Sequence, residues 1–348
     1  MDDRSHSVEA RPIFSRLPRL EEGAPWMSLA ELPTPLEIRE VDIGGARRRF
    51  RMKRDDVSGR VYGGNKVRKL EFLLGRARAT GAGRVLTAGG EGSHHALATA
   101  VYAGRLGWPV TVVLSPQPDS PHARKVHGAI RASGADIRWV DRGEELGPGL
   151  QEEADRRASD RPFVVPPGGS DAVGTLGYLN AALELARQLQ DLGEGWPSSV
   201  YLPAGTLGTT AGLALGFRWL GVPTRIIGVR VVGRVVTNRE VLENLLQGCA
   251  DLVAKLGADV PPRWAEDASR LVELREGYLG RGYGHPTDDG EAAMRTLGET
   301  GLPLDPTYTA KAAAALLDDL AARPGAEGGE DGEVLYWHTL SAVTPKAD

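Results

Sequence analysis

The chain of 348 residues contains one cysteine, Cys249. A single thiol cannot close an intramolecular disulfide, so a disulfide framework is excluded and a reducing cytoplasm is the expected setting. Cys249 falls in a helical-looking stretch and reads as a buried filler. Aromatic residues are scarce at 6%, and the net charge is only −4. So small a charge gives no electrostatic reason to expect nucleic acid or an anionic membrane as partner. No apolar run is long enough to span a bilayer, and the opening MDDRSHSVEARPIF lacks the apolar core of a signal peptide. Repeats of the length that a solenoid or propeller needs are missing as well.

Glycine and proline, by contrast, are plentiful at 45 and 23 residues, without a period. That fits a loop-rich α/β protein. Short Val/Ile/Leu segments at 84–88, 110–114, 136–140 and 162–165 alternate with helical patterns, and the rhythm restarts at 199–202 and 225–232. Alternation of this kind predicts parallel sheets with helices on their faces. Before them, 48–53 reads as a strand. Beyond them, helices are predicted at 238–256, 265–273, 288–301 and 308–322, then a polar glycine loop at 328–332 and a last strand at 333–337. The expected fold is α/β with two open parallel-sheet domains and a binding crevice between them. Residues 1–25 form an arm, 26–70 with 180–348 the larger domain, and 71–179 the smaller one.

The stretch Gly63-Gly64-Asn65-Lys66-Val67-Arg68-Lys69-Leu70-Glu71 organises the rest. Two glycines permit a tight turn, and Asn65 is suited to cap the helix whose apolar face is Val67, Leu70 and Leu74. Lys66 then stands at the positive end of a helix dipole, which eases loss of its proton. An amine of that kind can form a Schiff base, and Lys69 on the same face can hold a phosphate. A solvated basic helix start fits the same residues.

Three further stretches carry polar chemistry. Gly205-Thr206-Leu207-Gly208-Thr209-Thr210 follows a predicted strand and opens a helix, a setting that suits a phosphate. It lacks the GK[ST] of a nucleotide P-loop and the spacing of a dinucleotide fold, and a capped turn would look the same. Gly89-Gly90-Glu91-Gly92-Ser93-His94-His95 lies at another strand's carboxyl end, where parallel sheets bind ligands. Adjacent histidines point to different faces of a helix, so a small-molecule lining is expected there and no metal. Tyr283 follows glycines, Tyr308 and Thr309 stand near a helix start, and Thr339 follows the last strand. Tyrosines in such turns also serve for packing alone.

Taken in this order, GGNKVRKLEF, the Gly/Ser loop and the Gly/Thr loop resemble the pyridoxal-phosphate enzymes of the aminocyclopropane-carboxylate deaminase and D-cysteine desulfhydrase group. Those enzymes have the tryptophan-synthase-β-like fold. The similarity runs from about Leu32 to Val343. It implies that Lys66 carries pyridoxal 5'-phosphate as a Schiff base, that Lys69 helps to hold the phosphate, and that Gly205, Thr206, Leu207, Gly208, Thr209 and Thr210 cradle it. Ser93 would contact the substrate carboxylate or relay a proton, and Tyr283 and Tyr308 match two active-site tyrosines. Thr309 occupies the position facing the pyridine nitrogen, and Thr339 lies beside the cofactor.

The chain also departs from the group's pattern. The deaminase branch has glutamate at the position of Thr309 and leucine at that of Thr339, so both positions resemble the desulfhydrase branch. His94 stands where an asparagine near the cofactor's 3′-oxygen is usual. Leu340-Ser341 replaces a glycine pair. The resemblance implies a lyase that eliminates the β-substituent of a small amino acid, D-cysteine or a related β-substituted alanine. Cyclopropane-carboxylate ring opening is the alternative enzyme activity. A cofactor-binding protein without turnover is the alternative outside enzymes. A homodimer is implied too.

Overall fold

The computed structural model describes residues 9–323 and 333–343, so the expected loop at 328–332 lies outside the described residues. Strands β1 (Leu36–Ile43), β2 (Ala46–Arg54), β7 (Ser199–Ala204), β8 (Arg225–Arg230), β9 (Val272–Arg275) and β10 (Val334–His338) form a sheet in the order β1-β2-β10-β7-β8-β9. Strands β3 (Arg84–Gly90), β4 (Val110–Ser115), β5 (Asp136–Trp139) and β6 (Pro162–Val164) form a second sheet in the order β5-β4-β3-β6. All pairings are parallel except β1 with β2. β4 (VTVVLS) is buried at every position and β8 at all but its ends, the continuous apolar pattern of strands covered on both faces.

The helices are α1 (Pro12–Arg16), α2 (Leu20–Gly23), α3 (Lys66–Ala79), α4 (His94–Arg105), α5 (Pro121–Ala132), α6 (Leu146–Arg156), α7 (Ala172–Leu192), α8 (Gly208–Leu220), α9 (Arg239–Lys255), α10 (Trp264–Arg270), α11 (Asp288–Gly298) and α12 (Thr309–Ala322). Three segments differ from expectation. A hairpin precedes the sequence-predicted strand: Gly44 and Gly45, both with left-handed φ, close the two-residue turn between β1 and β2. Its arginines and glutamates, on an edge with one wet face, hide the two-residue period. The helix expected over 265–273 stops at Arg270, because Val272 pairs with Ile226 at the sheet edge and that pairing overrides the local period. The segment without a period at the N-terminus folds into α1 and α2, whose Ile13, Phe14, Leu17 and Leu20 are buried in the main core.

Charged side chains hold α3 in place. Arg11 pairs with Glu71 of α3, and Glu71 also accepts from the amides of Leu29 and Ala30, both at 2.9 Å. Arg68 points the opposite way into a buried network. Its guanidinium donates to both oxygens of Asp55 at 3.0 Å and to Glu184 at 2.8 Å. Lys53 donates to Glu184 at 2.6 Å, while Tyr178 and Trp337 donate to Asp55. Burial pushes the Glu184 carboxyl up, yet Arg68 and Lys53 together outweigh it and hold the group at about 2. Two cations thus face two carboxylates, and they tie α3 to β2, β10 and α7. The helix bearing Lys66 is fixed from behind.

Candidate active site

The carboxyl ends of β3 and β4 face those of β7, β8 and β10 across a cleft that encloses a cavity of about 490 Å³. Lys66, Lys69, Ser93, His94, Gly205, Thr206, Leu207, Thr209, Thr210, Tyr283, Tyr308 and Thr339 all line it; of the residues expected at the site, Gly208 and Thr309 do not.

Lys66 is the first residue of α3, but Asn65 does not cap the helix as expected. Asn65 has helical backbone angles and makes no side-chain cap. Its Oδ1 accepts from Lys66 Nζ at 2.8 Å, and its Nδ2 donates to Thr209 Oγ1 at 3.1 Å, so it links the lysine to the glycine-threonine turn. Desolvation lowers the Lys66 pKa to about 8, partly opposed by the charge of Asp305. Near neutral pH a useful fraction of this amine is therefore uncharged and nucleophilic.

One turn along α3, Lys69 Nζ donates to Gly168 O at 3.0 Å and to Ser170 Oγ at 3.1 Å. Ser170 also accepts from Gly208 N at 3.2 Å and bonds Thr206 Oγ1 at 2.7 Å. The 166–170 loop (PPGGS) thus faces the Gly/Thr turn, a partnership that sequence reasoning missed although both stretches are glycine-rich. Leu207 turns the chain into α8 with a left-handed φ of +64°, unusual for a residue with a side chain. The first amides of α8 have no intrahelical acceptor. Together with Lys69, whose pKa burial and the neighbouring Lys66 hold well below the usual lysine range, they make a donor-rich end to the cavity.

Ser93 caps α4, its Oγ accepting from Ala96 N at 3.2 Å. The next residue, His94, has both ring nitrogens engaged: Nδ1 with the Tyr62 hydroxyl, and Nε2 with His122 Nε2 at 2.9 Å. Burial lowers its pKa to about 4, aided by His122, Lys66 and Lys125 and opposed by Asp305, so the ring is neutral at neutral pH. Tyr62 and His122 were not foreseen, since they lie 32 and 28 residues away in sequence.

Across the cavity the hydroxyls of Tyr283 and Tyr308 are 2.5 Å apart. Burial raises the Tyr283 pKa to about 12 and that of Tyr308 well above the usual range. Both are protonated donors at neutral pH. Asp305, another residue missed, accepts from the amides of Thr307, Tyr308 and Thr309 at 3.0, 2.6 and 3.1 Å. Thr309 turns its hydroxyl into this loop, donating to Asp305 Oδ2 at 2.6 Å and accepting from Asp305 N at 2.7 Å.

Residues 27–339 match the family model described as pyridoxal-phosphate dependent enzyme. The chain belongs to that family. Its fold is the tryptophan-synthase-β-like one, and pyridoxal phosphate is its cofactor. It is 38% identical over 318 residues to the nocardicin C-9' epimerase of Nocardia uniformis subsp. tsuyamanensis, spanning 89% of this chain and 91% of that protein. It is 35% identical over 327 residues to the D-cysteine desulfhydrase of Serratia proteamaculans (strain 568), spanning 91% and 94%. Among solved structures, an ACC deaminase homologue superposes with a TM-score of 0.76 at 34% identity, covering 94% of each chain.

The residues present fit this cofactor. Thr210 Oγ1 is buried in the cavity wall without a hydrogen-bond partner among the described residues, so a polar atom there calls for a polar ligand. A Cβ on Gly208 would lie 2.7 Å from Ser170 Oγ and 2.9 Å from Lys69 Nζ, so only glycine leaves that end of the cradle intact.

Proposed function

We propose that this protein is a lyase that splits the β-substituent from a small amino acid, D-cysteine or a close β-substituted alanine, and with uptake of one water releases a keto acid and ammonia. The observation that carries the reading is Lys66, with its pKa near 8, sharing one cavity with a pair of protonated tyrosines. Bound pyridoxal phosphate draws electrons from the substrate's α-carbon and so makes its proton labile. Lys69, Ser170 and the amides opening α8 hold the phosphate, and Lys66 Nζ makes the covalent attachment. Ser93 and the free amides at the start of α4 receive the substrate carboxylate, where the helix dipole favours an anion.

Lys66 Nζ is the base for the α-proton, because burial leaves a useful fraction of it uncharged near neutral pH. The tyrosines are poor resting bases for the same reason, and the Tyr283–Tyr308 pair instead supplies a proton to the departing group. His94, neutral and tethered to Tyr62 and His122, packs beside Tyr308, with ring centroids 6.3 Å apart. Thr339 borders the cofactor at the end of β10. Thr309 acts with Asp305, its hydroxyl proton already committed. Cyclopropane ring opening is the less favoured enzyme activity, since no carboxylate stands at position 309.

Epimerisation is the second reading, favoured by the 38% identical epimerase and by acid and base groups lining one cavity. Both readings begin with loss of the α-proton. Purified protein incubated with D-cysteine, β-chloro-D-alanine and their L-enantiomers should release keto acid from at least one. Deuterium incorporation and inversion at the α-carbon without keto-acid release would replace elimination with epimerisation. Inert substrates throughout would sink both readings.

A further inference from the structure

The segment from Gly277 to Gly284 contains neither helix nor strand, and four of its residues are glycines with φ of +102°, +64°, +138° and +79°. Such backbone loses much freedom when it is ordered. Even so, the segment crosses the cleft. A Cβ placed on Gly90 would lie 2.9 Å from the Tyr283 ring, and one on Gly284 would lie 2.9 Å from Pro118. Gly90 ends β3 and Pro118 follows β4, so Tyr283 leans from one sheet's loops onto the other's.

What holds the segment comes from α12. Tyr278 donates its hydroxyl to Asp318 at 2.7 Å. Nearer to Tyr283, the wholly buried Lys311 sends Nζ to Leu279 O at 2.9 Å and to Gly282 O at 3.4 Å. These two carbonyls bracket the bend that delivers Tyr283. Burying an ammonium is costly unless its protons are hydrogen-bonded. A methionine would fill the same space without that cost, so packing alone does not account for the lysine.

We propose that Lys311 is a positioning residue whose ammonium locks the 277–284 segment across the cleft and so brings the Tyr283 hydroxyl onto Tyr308. Its effect on turnover rests on the lyase reading; its effect on the segment does not.

Hydrogen–deuterium exchange of the holoprotein tests the lock directly. Lys311→Met should raise exchange in peptides covering 277–284 by about tenfold, while Lys311→Arg, which keeps a charged donor, should restore part of the protection. Gly282→Ala offers a second route should Lys311→Met fail to fold. It leaves the lysine in place, strains a backbone at φ +138°, and should loosen the same peptides. Turnover of D-cysteine supplies the other arm. Lys311→Met should lower kcat about tenfold, and adding it to Tyr283→Phe should cost nothing further, as expected of residues acting as one unit. Unchanged exchange at 277–284 in a folded Lys311→Met or Gly282→Ala protein would overturn the proposal, and so would fully additive losses in the double variant. If no amino acid yields keto acid, the lyase reading fails while the exchange data still decide the role of Lys311.

Discussion

Replacing Arg68 by methionine should expose how much the site depends on charges buried behind it. Arg68 is 1% exposed, and its buried network holds only one other cation, Lys53, against two carboxylates, Asp55 and Glu184. Deleting it leaves one buried negative charge without a counterion. Breaking such a pair costs about 3–5 kcal/mol. With an unfolding entropy of about 2.1 cal/mol/K per residue, or about 0.7 kcal/mol/K for a chain of this length, the apparent Tm should fall by about 4–7 °C. Arg68→Lys should fall by less, because the charge remains although one ammonium cannot span both carboxylates.

The pH dependence has a definite sign. Glu184 sits at about 2, below the ordinary carboxyl value of 4.5, so its contribution is present above the unfolded pKa and is lost as pH falls through the folded one. In the variant the same carboxyl protonates at a higher pH and relieves its own burial. The Tm gap between the two proteins should therefore narrow as pH drops from about 5 towards 3. Differential scanning of both holoproteins across that range is the assay. A gap below about 1 °C at pH 7, or one that widens in acid, would refute the argument.

Two further outcomes follow from the site. Capture of added pyridoxal phosphate by the apoprotein should accelerate with pH and level off above about 8, the Lys66 value; a rise continuing to pH 10 would mean that the amine behaves as an ordinary exposed lysine. Gly208→Val should displace Lys69 Nζ and Ser170 and raise the cofactor Kd at least about tenfold, the loss of one charged hydrogen bond. An unchanged Kd in the folded variant would mean that the phosphate binds elsewhere.

How far the sequence could be read depended on the range of each interaction. Helix α3 was legible because Gly63, Gly64 and the Val67/Leu70/Leu74 stripe are local signals, and the helix spans Lys66–Ala79 against an expected end near residue 80. Helices α8 and α9 were legible for similar reasons. Arg68 and Glu71 lie in that same motif, yet their partners are 13, 116 and 60 residues distant, and nothing local distinguishes a buried arginine from a wet one. Asn65 shows the opposite failure. A residue with high capping propensity was claimed by a tertiary contact with Lys66 and Thr209, which no propensity encodes. β9 was hidden because four residues at a sheet edge carry too little pattern to interrupt a helical period.

The single thiol of the chain has a practical consequence. Cys249 is fully buried, and burial pushes its thiol up, so it meets aqueous reagents slowly and seldom as thiolate. Any cysteine introduced at an exposed position, such as the loop residue Arg281 beside Tyr283, would therefore be the one thiol a probe could find. A fluorophore attached there would report on the approach of the two sheets without prior removal of a native side chain.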